Sequence, residues 1–356
     1  MGQPAPQTTT SKSWAALPDL EVAVIILNYN GLRFLQTYLE GVVAHSGMAE
    51  VVVADNGSTD GSLAWLASEA RFSEVRILDL GSNHGFSGGY NRAIAQCPYP
   101  YVVLLNSDVE TPAGWLEPMM TFLKVNPLVA ACQPKILSVA SPDHFEFAGA
   151  SGGFIDRLGY PYCRGRLFDT CERDLGQYDD AVQIFWATGA CMLIRTDDYK
   201  SVGGLDEFFF AHMEEIDLCW RLAHKGRQVW VVPSAKVFHV GGGTLHKSNP
   251  RKTYLNFRNG LLLLYKNLPA KDLIPVIMER LNLDGVAGIK FLLSGKPKDC
   301  WSIVRAHFAF YASLGHYRKV RRQIRPEPMA LKVPGIGQFS IVYRYFLEGV
   351  RRFSDL

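Results

Sequence analysis

The sequence predicts an α/β fold built on a mainly parallel sheet, and two observations support this. Four short apolar runs, rich in Val, Ile or Leu, alternate with segments whose apolar residues recur at helical spacing. Continuous apolar runs are typical of strands buried on both faces of a parallel sheet. Their alternation with helices indicates an α/β domain. The predicted strands are residues 21–28, 50–55, 75–80 and 101–110.

The segments between these strands predict how the chain turns back. The first strand ends in the turn signal Asn-Tyr-Asn-Gly at residues 28–31, and a helix is predicted over residues 32–44. The second strand ends on Asp55 before another turn and a short helix. After the third strand, the glycine-rich residues 83–93 enter a helix. Backbone N–H groups and a helix N-terminus together bind phosphate, although these glycines are also explained by tight packing alone.

The stretch at residues 101–110 organises the rest of the chain. Five apolar residues run directly into Asn106, Ser107 and Asp108. Asp108 is therefore expected at the carboxyl end of a buried strand, which is where open α/β sheets bind ligands. A carboxylate in that position suits a divalent cation that holds a diphosphate. The alternative is an ordinary turn, because Asn, Ser and Asp also favour turns.

The following residues continue the domain with less regular patterns. Residues 140–182 are predicted to be irregular, and such a long excursion is functional or mobile. His239 ends a predicted strand beside a glycine run, which makes it a plausible imidazole ligand for a metal. The remaining predictions are a strand over residues 184–195, a helix over 213–222, and short strands over 229–233 and 235–240.

Charge is distributed unevenly along the 356 residues. Residues 1–250 hold 18 Lys and Arg against 27 Asp and Glu, a net charge of −9, whereas residues 251–356 hold 19 against 7, a net charge of +12. We predict that residues 251–356 form basic amphipathic helices that associate with an anionic membrane surface. A solvated basic face is the alternative. Nucleic acid is not expected as a partner, because no recognition motif accompanies the charge.

The termini and cysteines bear on localisation. Residues 1–19 are rich in Pro, Thr and Ser and predict a disordered leader without the features of a signal peptide. No window has the roughly 18 apolar residues of a membrane-spanning helix. The seven cysteines are scattered without a C-x-x-C pair, which favours a reducing compartment. We therefore expect a cytoplasmic protein, peripheral at the inner face of the cell membrane.

Seven motifs in residues 21–260 together resemble the family-2 inverting glycosyltransferases with a GT-A fold, particularly the bacterial rhamnosyltransferase-like branch. The resemblance implies a GT-A catalytic domain, Rossmann-like with a mainly parallel sheet, over residues 20–250, followed by the basic helical extension. In chain order the motifs are VAVIILNYNG, VVVADNGSTDGS, NHGFSGGYNRAI, VVLLNSDVE, ATGACMLIR, GGLDEFFFAHMEEIDLCWRL and VFHVGGGT.

The resemblance also implies roles for individual residues. Asp108 matches the last acid of the metal-binding D-x-D motif, whose first position is Asn106 here, and His239 matches a histidine that completes the metal site. Glu214-Glu215 matches an acidic pair whose second member is the base, so Glu215 is the first candidate, with Glu214 and Asp217 as alternatives. The positions that match nucleotide contacts are Asn28, Tyr29, Asp55, Asn56, Gly57, Asn83, Gly85, Asn91, Arg92, Asn106 and Ser107.

The function implied is the transfer of a sugar, rhamnose or another hexose, from a nucleotide-diphosphate donor to a lipid-linked or polysaccharide acceptor. The expected donors are dTDP-rhamnose or a UDP-sugar, and the expected cofactor is Mg²⁺ or Mn²⁺. In this chemistry a base takes the acceptor proton, and the metal stabilises the leaving diphosphate. Two alternatives remain at this point. One is a sugar nucleotidylyltransferase, and the other is a catalytically silent nucleotide-binding partner in a polysaccharide assembly complex.

Overall fold

The structure is a computed structural model, and it describes residues 14–241, 249–324 and 334–356. The first thirteen residues of the predicted leader therefore lie outside the described residues. Trp14, which the sequence placed in that leader, instead packs onto the fold. It is buried, its Nε1 donates to Glu50 Oε2 at 2.8 Å, and its ring lies edge-on to Tyr99. Trp14 is therefore part of the packed chain.

The first half of the main sheet is parallel, as predicted. Strand β1 pairs with β2 on one side and β4 on the other, and β2 pairs with β3, all in parallel. Residues 22–25 of β1 and 102–105 of β4 are completely buried, because helices cover both faces. These elements are β1 (Val22–Asn28), α1 (Leu32–His45), β2 (Ala49–Asp55), α2 (Ser62–Ser68), β3 (Arg76–Asp79), α3 (Gly85–Gln96) and β4 (Tyr101–Asn106).

The second half of the main sheet mixes parallel and antiparallel pairs. The strands that belong to it are β5 (Val109–Glu110), β6 (Val129–Ser138), β11 (Val182–Ile184), β12 (Cys191–Arg195) and β13 (Gln228–His239). The helices of this part of the chain are α4 (Glu117–Val125), α5 (Thr196–Ser201) and α6 (Glu214–His224), and four short strands outside the main sheet are β7 (Gly153–Asp156), β8 (Pro161–Cys163), β9 (Arg166–Leu167) and β10 (Thr170–Cys171). The main sheet has the order β11-β13-β6-β12-β4-β1-β2-β3, with β5 paired to the end of β13. Strand β12 is antiparallel to both β4 and β6.

Two strand predictions in this half were wrong in detail. The single strand expected over residues 184–195 is split into β11 and β12, which occupy different positions in the sheet. The two strands expected over residues 229–240 are one strand, β13, whose register to β6 shifts between Val232 and Lys236. Pro233 lies at this shift, where a residue without a backbone N–H is tolerated.

A second sheet replaces the irregular excursion predicted for residues 140–182. It has the order β10-β9-β8-β7-β14, and its last strand, β14 (Ile336–Gly337), comes from the C-terminal segment. Strand β14 runs parallel to β7, and the backbone N–H of Ile341 donates to Asp156 Oδ2 at 2.9 Å. The excursion is therefore ordered by a partner that lies about 180 residues later in the chain.

The C-terminal region is helical, as predicted, but only part of it lies on the surface. Residues 261–264 of α7 are fully buried in the core shared with the main sheet. None of the helices within the described residues is long and apolar enough to cross a membrane. These helices are α7 (Pro250–Asn267), α8 (Ala270–Leu293), α9 (Pro297–Ile324) and α10 (Ile341–Phe346).

Candidate active site

The predicted polar side chains lie side by side where neighbouring parallel strands end. The register places Asn28 of β1 opposite Asp55 of β2, and Leu27 of β1 opposite Asn106 of β4. Asn28 Nδ2 donates to Asp55 Oδ2 at 2.8 Å, and both side chains are fully buried. Carboxyl ends of parallel strands share one edge of the sheet, so these residues form the edge at which α/β sheets bind ligands.

Asp55 shapes the loop that follows β2. Its Oδ1 accepts a hydrogen bond from the backbone N–H of Ser58 at 2.8 Å, and Ser58 Oγ in turn accepts from the backbone N–H of Asn30 at 2.9 Å. The two loops that follow β1 and β2 are thereby joined. Tyr29 is exposed at the top of this junction. A ring that is exposed beside the ends of parallel strands is available for stacking on a ligand.

The glycine-rich loop lies against the loop after β2. Asn56 Oδ1 accepts from the backbone N–H of His84 at 3.0 Å, and Asn56 Nδ2 donates to the carbonyl of Gly85 at 3.0 Å. Asn83 Oδ1 accepts from the backbone N–H of Gly85 at 2.8 Å, at the start of α3. Gly57 has a φ of 77°, and a Cβ there would lie 2.6 Å from Ser82 Cα. Only glycine allows the two loops to approach this closely.

Asn91 and Arg92, which were predicted as nucleotide contacts, make contacts within the protein. Asn91 Nδ2 donates to the carbonyl of Leu205 at 2.8 Å, and Asn91 Oδ1 accepts from the backbone N–H of Leu205 and from Tyr199 Oη. Arg92 Nη1 lies 3.2 Å from Glu207 Oε1. Both side chains therefore tie α3 to the loop that precedes Glu214 and Glu215, and Asn91 has its amide fully occupied.

Asp108 and His239 meet, as the resemblance implied. Strand β5 pairs His239 with Val109, and this pairing brings Asp108 Oδ1 to 3.1 Å from His239 Nε2. The other ring nitrogen, Nδ1, lies 3.0 Å from Glu146 Oε2, and all three side chains are buried. Burial alone would lower the pKa of His239, but its hydrogen bonds to Asp108 and Glu146, and their charges, raise it to about 10.

These residues fit a divalent metal, with one acid outside the ligand set. A carboxylate and an imidazole are both ligands of Mn²⁺, and a ligating histidine commonly donates its second ring N–H to a carboxylate. Glu146 occupies that second position. Within residues 14–241, 249–324 and 334–356 there is no group of three or more His, Cys, Asp or Glu side chains suited to a metal. Asp108 and His239 would therefore hold the ion together with donor oxygens.

Glu214 and Glu215 begin α6 with unused carboxylate oxygens. The Oε2 atoms of both residues are buried and have no hydrogen-bond partner among the described residues. Burial raises the pKa of Glu215 to about 7, and burial together with the charge of Glu215 raises the pKa of Glu214 well above its ordinary value. A carboxylate whose pKa approaches the working pH is suited to general base catalysis.

Asp217 was predicted as an alternative base, and the structure contradicts that role. Its Oδ2 accepts from Arg221 Nε and Lys266 Nζ, both at 2.8 Å, and its Oδ1 accepts from Asn267 Nδ2 at 2.8 Å. Burial would raise the pKa of Asp217, but Arg221 and Lys266 lower it below the ordinary value. A buried carboxylate held by two cations joins α6 to α7 and has no free oxygen for an acceptor.

The loop before α6 carries backbone strain. Phe210, His212 and Met213 have positive φ values of 66°, 69° and 74°, which side chains of this size rarely adopt. Asn259 of α7 holds this loop, because its Nδ2 lies within 3.0 Å of the carbonyls of Phe209, Ala211 and His212. The buried amide of Asn259 therefore helps to hold the strained backbone in place.

The loop of residues 209–213, here called the acid-bearing loop because it leads into Glu214 and Glu215, also contacts the glycine-rich loop. The carbonyl of Phe210 accepts from the backbone N–H of Phe86 at 3.2 Å, and a Cβ on Gly85 would lie 2.9 Å from the Phe210 ring. His212 Nε2 is buried without a hydrogen-bond partner among the described residues, and burial, with the charge of Lys252, lowers the pKa of His212 to about 4. A neutral imidazole therefore lies two residues before Glu214.

Sequence reasoning missed Glu146 and Asn259. Glu146 lies in the stretch predicted to be irregular, and a single acid among many charged residues carries no local signal. Asn259 lies in a helix recognised only for its apolar residues and basic edge. A buried asparagine in an otherwise apolar helical run was the available clue, since buried amides require partners.

Comparison with known proteins adds independent findings. The profile of glycosyl transferase family 2 matches residues 23–202. The N-acetylglucosaminyl-diphospho-decaprenol L-rhamnosyltransferase of Mycobacterium tuberculosis (strain ATCC 25618 / H37Rv) is 30% identical over 235 residues, which cover 61% of this chain and 75% of that protein. The low-salt glycan biosynthesis hexosyltransferase Agl10 of Haloferax volcanii is 26% identical over 250 residues, which cover 68% of this chain and 75% of that protein.

Among solved structures, GalNAc-T7 with UDP, GalNAc and Mn²⁺ is similar with a TM-score of 0.55. The match covers 71% of this chain and 49% of that chain, at 13% identity. At this identity the similarity shows the fold alone. It confirms the predicted GT-A architecture, a mixed α/β domain with a curled, mainly parallel sheet and an added C-terminal helical region.

Proposed function

Because the chain belongs to glycosyl transferase family 2, we propose that it is a metal-dependent, inverting enzyme that transfers a sugar from a nucleotide-diphosphate donor to a lipid-linked acceptor. It is a glycosyltransferase of glycan synthesis, in the rhamnosyltransferase-like branch of the family. The nucleotidylyltransferase and silent-partner alternatives are not favoured, because the relatives are sugar transferases. The proposal of a metal-dependent reaction with a nucleotide-diphosphate donor rests on the buried Asp108–His239–Glu146 group beside the ends of the parallel strands.

The proposed donor is dTDP-rhamnose, with a UDP-sugar as the second candidate. A relative is named as an L-rhamnosyltransferase, and a structural neighbour was solved with UDP and Mn²⁺. The nucleotide would bind to the joined loops after β1 and β2 and to the glycine-rich loop at the start of α3. The N-terminus of α3 is favourable for phosphate, because its first N–H groups and the helix dipole point there.

Each side chain of the site has a task in this reaction. Asp108 and His239 would hold Mg²⁺ or Mn²⁺, which when bound neutralises charge on the departing diphosphate. Glu215 would accept the proton of the acceptor hydroxyl as that oxygen attacks the anomeric carbon. Its raised pKa makes it a stronger base than an ordinary carboxylate, and its unpaired Oε2 leaves a position for the hydroxyl. Glu214 is the second candidate for the base.

The acceptor is proposed to be lipid-linked, and the enzyme would then work at a membrane surface. The name of a relative includes a diphospho-decaprenol acceptor. The net charge of +12 on residues 251–356 would favour an anionic surface, because opposite charges raise the local concentration of the partner.

Titration calorimetry with dTDP, UDP and GDP, each with Mn²⁺ and with chelator, tests the donor and metal assignments. We expect one nucleotide to bind preferentially and only with metal, and Asp108→Ala to weaken that binding by at least about tenfold. Asp169→Ala, which removes an exposed acid, is the matched control and should bind normally. Equal nucleotide affinity with and without Mn²⁺ would contradict the metal site.

The same titration with Glu215→Gln separates donor binding from chemistry. We expect Glu215→Gln to bind nucleotide and Mn²⁺ normally and to lose transfer by about 10²–10⁴-fold, the usual contribution of a general base. Glu214→Gln is measured beside it. If Glu215→Gln turns over normally and Glu214→Gln does not, the base is Glu214.

A further inference from the structure

Helix α8 buries two charged residues on its inner side and exposes a set of apolar residues on its outer side. Its buried side chains include Arg280 and Asp284, whereas a surface helix normally buries an apolar stripe. Arg280 Nε donates to Asp284 Oδ1 at 3.1 Å, and the guanidinium lies 3.7 Å from the ring centroid of Tyr160. Arg280 and Asp284 thus face the second sheet, Val276, Ile277 and Leu281 pack against the core, and a further set of apolar side chains faces outwards.

The outward face carries an apolar stripe, with exposed Lys271 and Asn282 within the same arc. At about 100° per residue, positions 274, 278, 286, 289, 292 and 293 fall within roughly one third of the helix circumference. Leu293 is 85% exposed and Ile274 is 70% exposed, so the stripe is open at both ends of the helix. The exposed apolar side chains are Ile274, Met278, Val286, Ile289, Leu292 and Leu293. Exposed apolar side chains that are grouped on one helix face in this way indicate an interaction site.

The charges around the stripe have one sign. From residue 270 to residue 305 every exposed charged side chain is basic, and none of the four acids is exposed. Glu279 is paired with Arg157, and Asp284 with Arg280 and His307. The exposed basic residues are Lys271, Lys290, Lys296, Lys298 and Arg305. An apolar stripe bordered by lysines is complementary to a bilayer that carries anionic headgroups.

We propose that the outer face of α8 inserts into the interfacial layer of an anionic membrane and thereby docks the enzyme. The apolar side chains would enter the acyl boundary, and the flanking lysines would contact lipid phosphates. This assigns membrane contact to one face of one helix, whereas the sequence predicted it for the basic amphipathic helices of residues 251–356 as a whole. The proposal rests on the proposed function in one respect, because a lipid-linked acceptor requires the site to reach a membrane.

The position of α8 relative to the site supports this proposal. The stripe ends at Leu293, a few residues before α9 begins at Pro297. The start of α9 contacts the start of α7, since Thr253 Oγ1 donates to Asp299 Oδ1 at 2.5 Å. Arg251 of α7 lies 5.0 Å over the ring of Phe210 in the acid-bearing loop. The helix that follows the docking face is therefore linked through α7 to the loop before Glu214 and Glu215.

A surface cavity lies beside the contact between α7 and α9. It has a volume of about 390 Å³ between the starts of α7 and α9, and its lining includes Pro250, Lys298, Trp301 and Arg305. Trp301 is exposed there, and indole rings favour the interface between lipid and water. Two cations beside an interfacial tryptophan suit the phosphates of a lipid headgroup.

A second copy of this chain is the other possible occupant of the stripe. Two copies packed through this face would bring two rows of lysines together, and like charges across an interface are unfavourable. A bilayer has no such cost. The charge pattern therefore favours lipid over self-association.

The test is co-sedimentation of the full chain with vesicles of phosphatidylcholine alone and of equal parts phosphatidylcholine and phosphatidylglycerol. We expect binding to the anionic vesicles only, weakened when NaCl is raised from about 0.1 to about 0.5 M because salt screens the lysines. Met278→Glu/Ile289→Glu should reduce the apparent affinity by at least about tenfold, since charged groups are excluded from the acyl boundary. Leu128→Glu/Leu175→Glu, which changes two exposed leucines elsewhere, is the matched control and should bind normally.

Equal vesicle binding by the α8 variant and the wild type would overturn the proposal, as would no binding by the wild type. Light scattering that shows an oligomer dissolved by Met278→Glu/Ile289→Glu, without vesicle binding, would assign the face to self-association instead. Nucleotide binding with Mn²⁺, measured on the same samples, should be unchanged in both variants. If the wild type does not bind nucleotide, the proposed function is contradicted. If the wild type binds nucleotide but not vesicles, only the docking face is contradicted.

Discussion

Glu146 supports His239 from the side opposite Asp108. Its Oε2 also accepts from the backbone N–H of Ala148, so the carboxylate is held in place from its own loop. Gly241 allows this arrangement, because a Cβ there would lie 2.4 Å from Glu146 Oε1. Burial would raise the pKa of Glu146, but its hydrogen bond to His239 and the charge of that ring lower it. A charged acid in this position fixes the ring and increases its basicity as a ligand.

We expect Glu146→Gln to weaken Mn²⁺ binding by about 10- to 100-fold, the usual cost of losing such a supporting group. Titration of Mn²⁺ in the presence of saturating nucleotide measures this without relying on turnover. Glu110→Gln, an exposed acid in β5, is the control and should leave the affinity unchanged. Normal Mn²⁺ affinity in Glu146→Gln would mean that His239 does not ligate the ion.

The three acids in the first turn of α6 differ in their contacts with the rest of the molecule. Glu214, Glu215 and Asp217 look equivalent in the sequence. Only Asp217 lies next to Lys266 and Asn267, which come from a helix about 50 residues later. The spacing of these acids in the sequence therefore cannot distinguish a structural carboxylate from a candidate base, because the distinction depends on contacts with residues distant in the chain.

At the scale of the element, α7 belongs to the site rather than to a separate tail. Asn259 holds three carbonyls of the strained loop, and Arg258 Nη2 donates to the carbonyls of Phe208 and Phe209 at 3.0 Å. Lys266 joins Asp206 to Asp217. A domain boundary at residue 250 would separate α7 from the loop it holds. The division into residues 20–250 and 251–356 thus remains a proposal that this helix does not support.

We expect Asn259→Ala to reduce transfer by more than tenfold while nucleotide binding is retained. The variant leaves buried carbonyls of the strained loop without a donor, at a cost of about 1–3 kcal/mol. The loop would relax from its positive φ values and displace Glu214 and Glu215. Asn256→Ala, a half-buried asparagine one turn earlier, is the control. Unchanged turnover in Asn259→Ala, with comparable thermal stability, would contradict the role of this clamp.

At the scale of the whole molecule, the C-terminal segment completes the second sheet. Strand β14 forms its edge, Ile341 is fully buried, and the ring of Phe353 lies 5.0 Å from that of Phe154. Phe353 N–H donates to Glu172 Oε1 at 2.9 Å. The segment that bears Glu146 is thus linked to the far end of the chain.

Deletion of residues 334–356 should lower the free energy of unfolding by at least about 3 kcal/mol, since a fully buried Ile alone contributes about 2–5 kcal/mol. Chemical denaturation measures the loss, and limited proteolysis should then cleave within residues 153–171. Deletion of residues 1–13, for which the sequence predicts disorder, is the matched control. A deletion of 334–356 that unfolds at the same denaturant concentration would show that the second sheet is stable without β14.

Local patterns in the sequence were enough to predict the parallel half of the fold and the family, and they indicated the polar residues that lie together where the strands end. These depend on local signals: apolar runs, glycine turns, and polar residues directly after strands such as Asp55 and Asp108. Contacts between distant parts of the chain were needed to show that residues 140–182 contribute to a sheet, that Glu146 contacts His239, that Asp217 is held by Lys266, and that α8 exposes an apolar face. Each of these depends on a partner distant in the chain, and the free energy of burying a polar or apolar group is set by that partner.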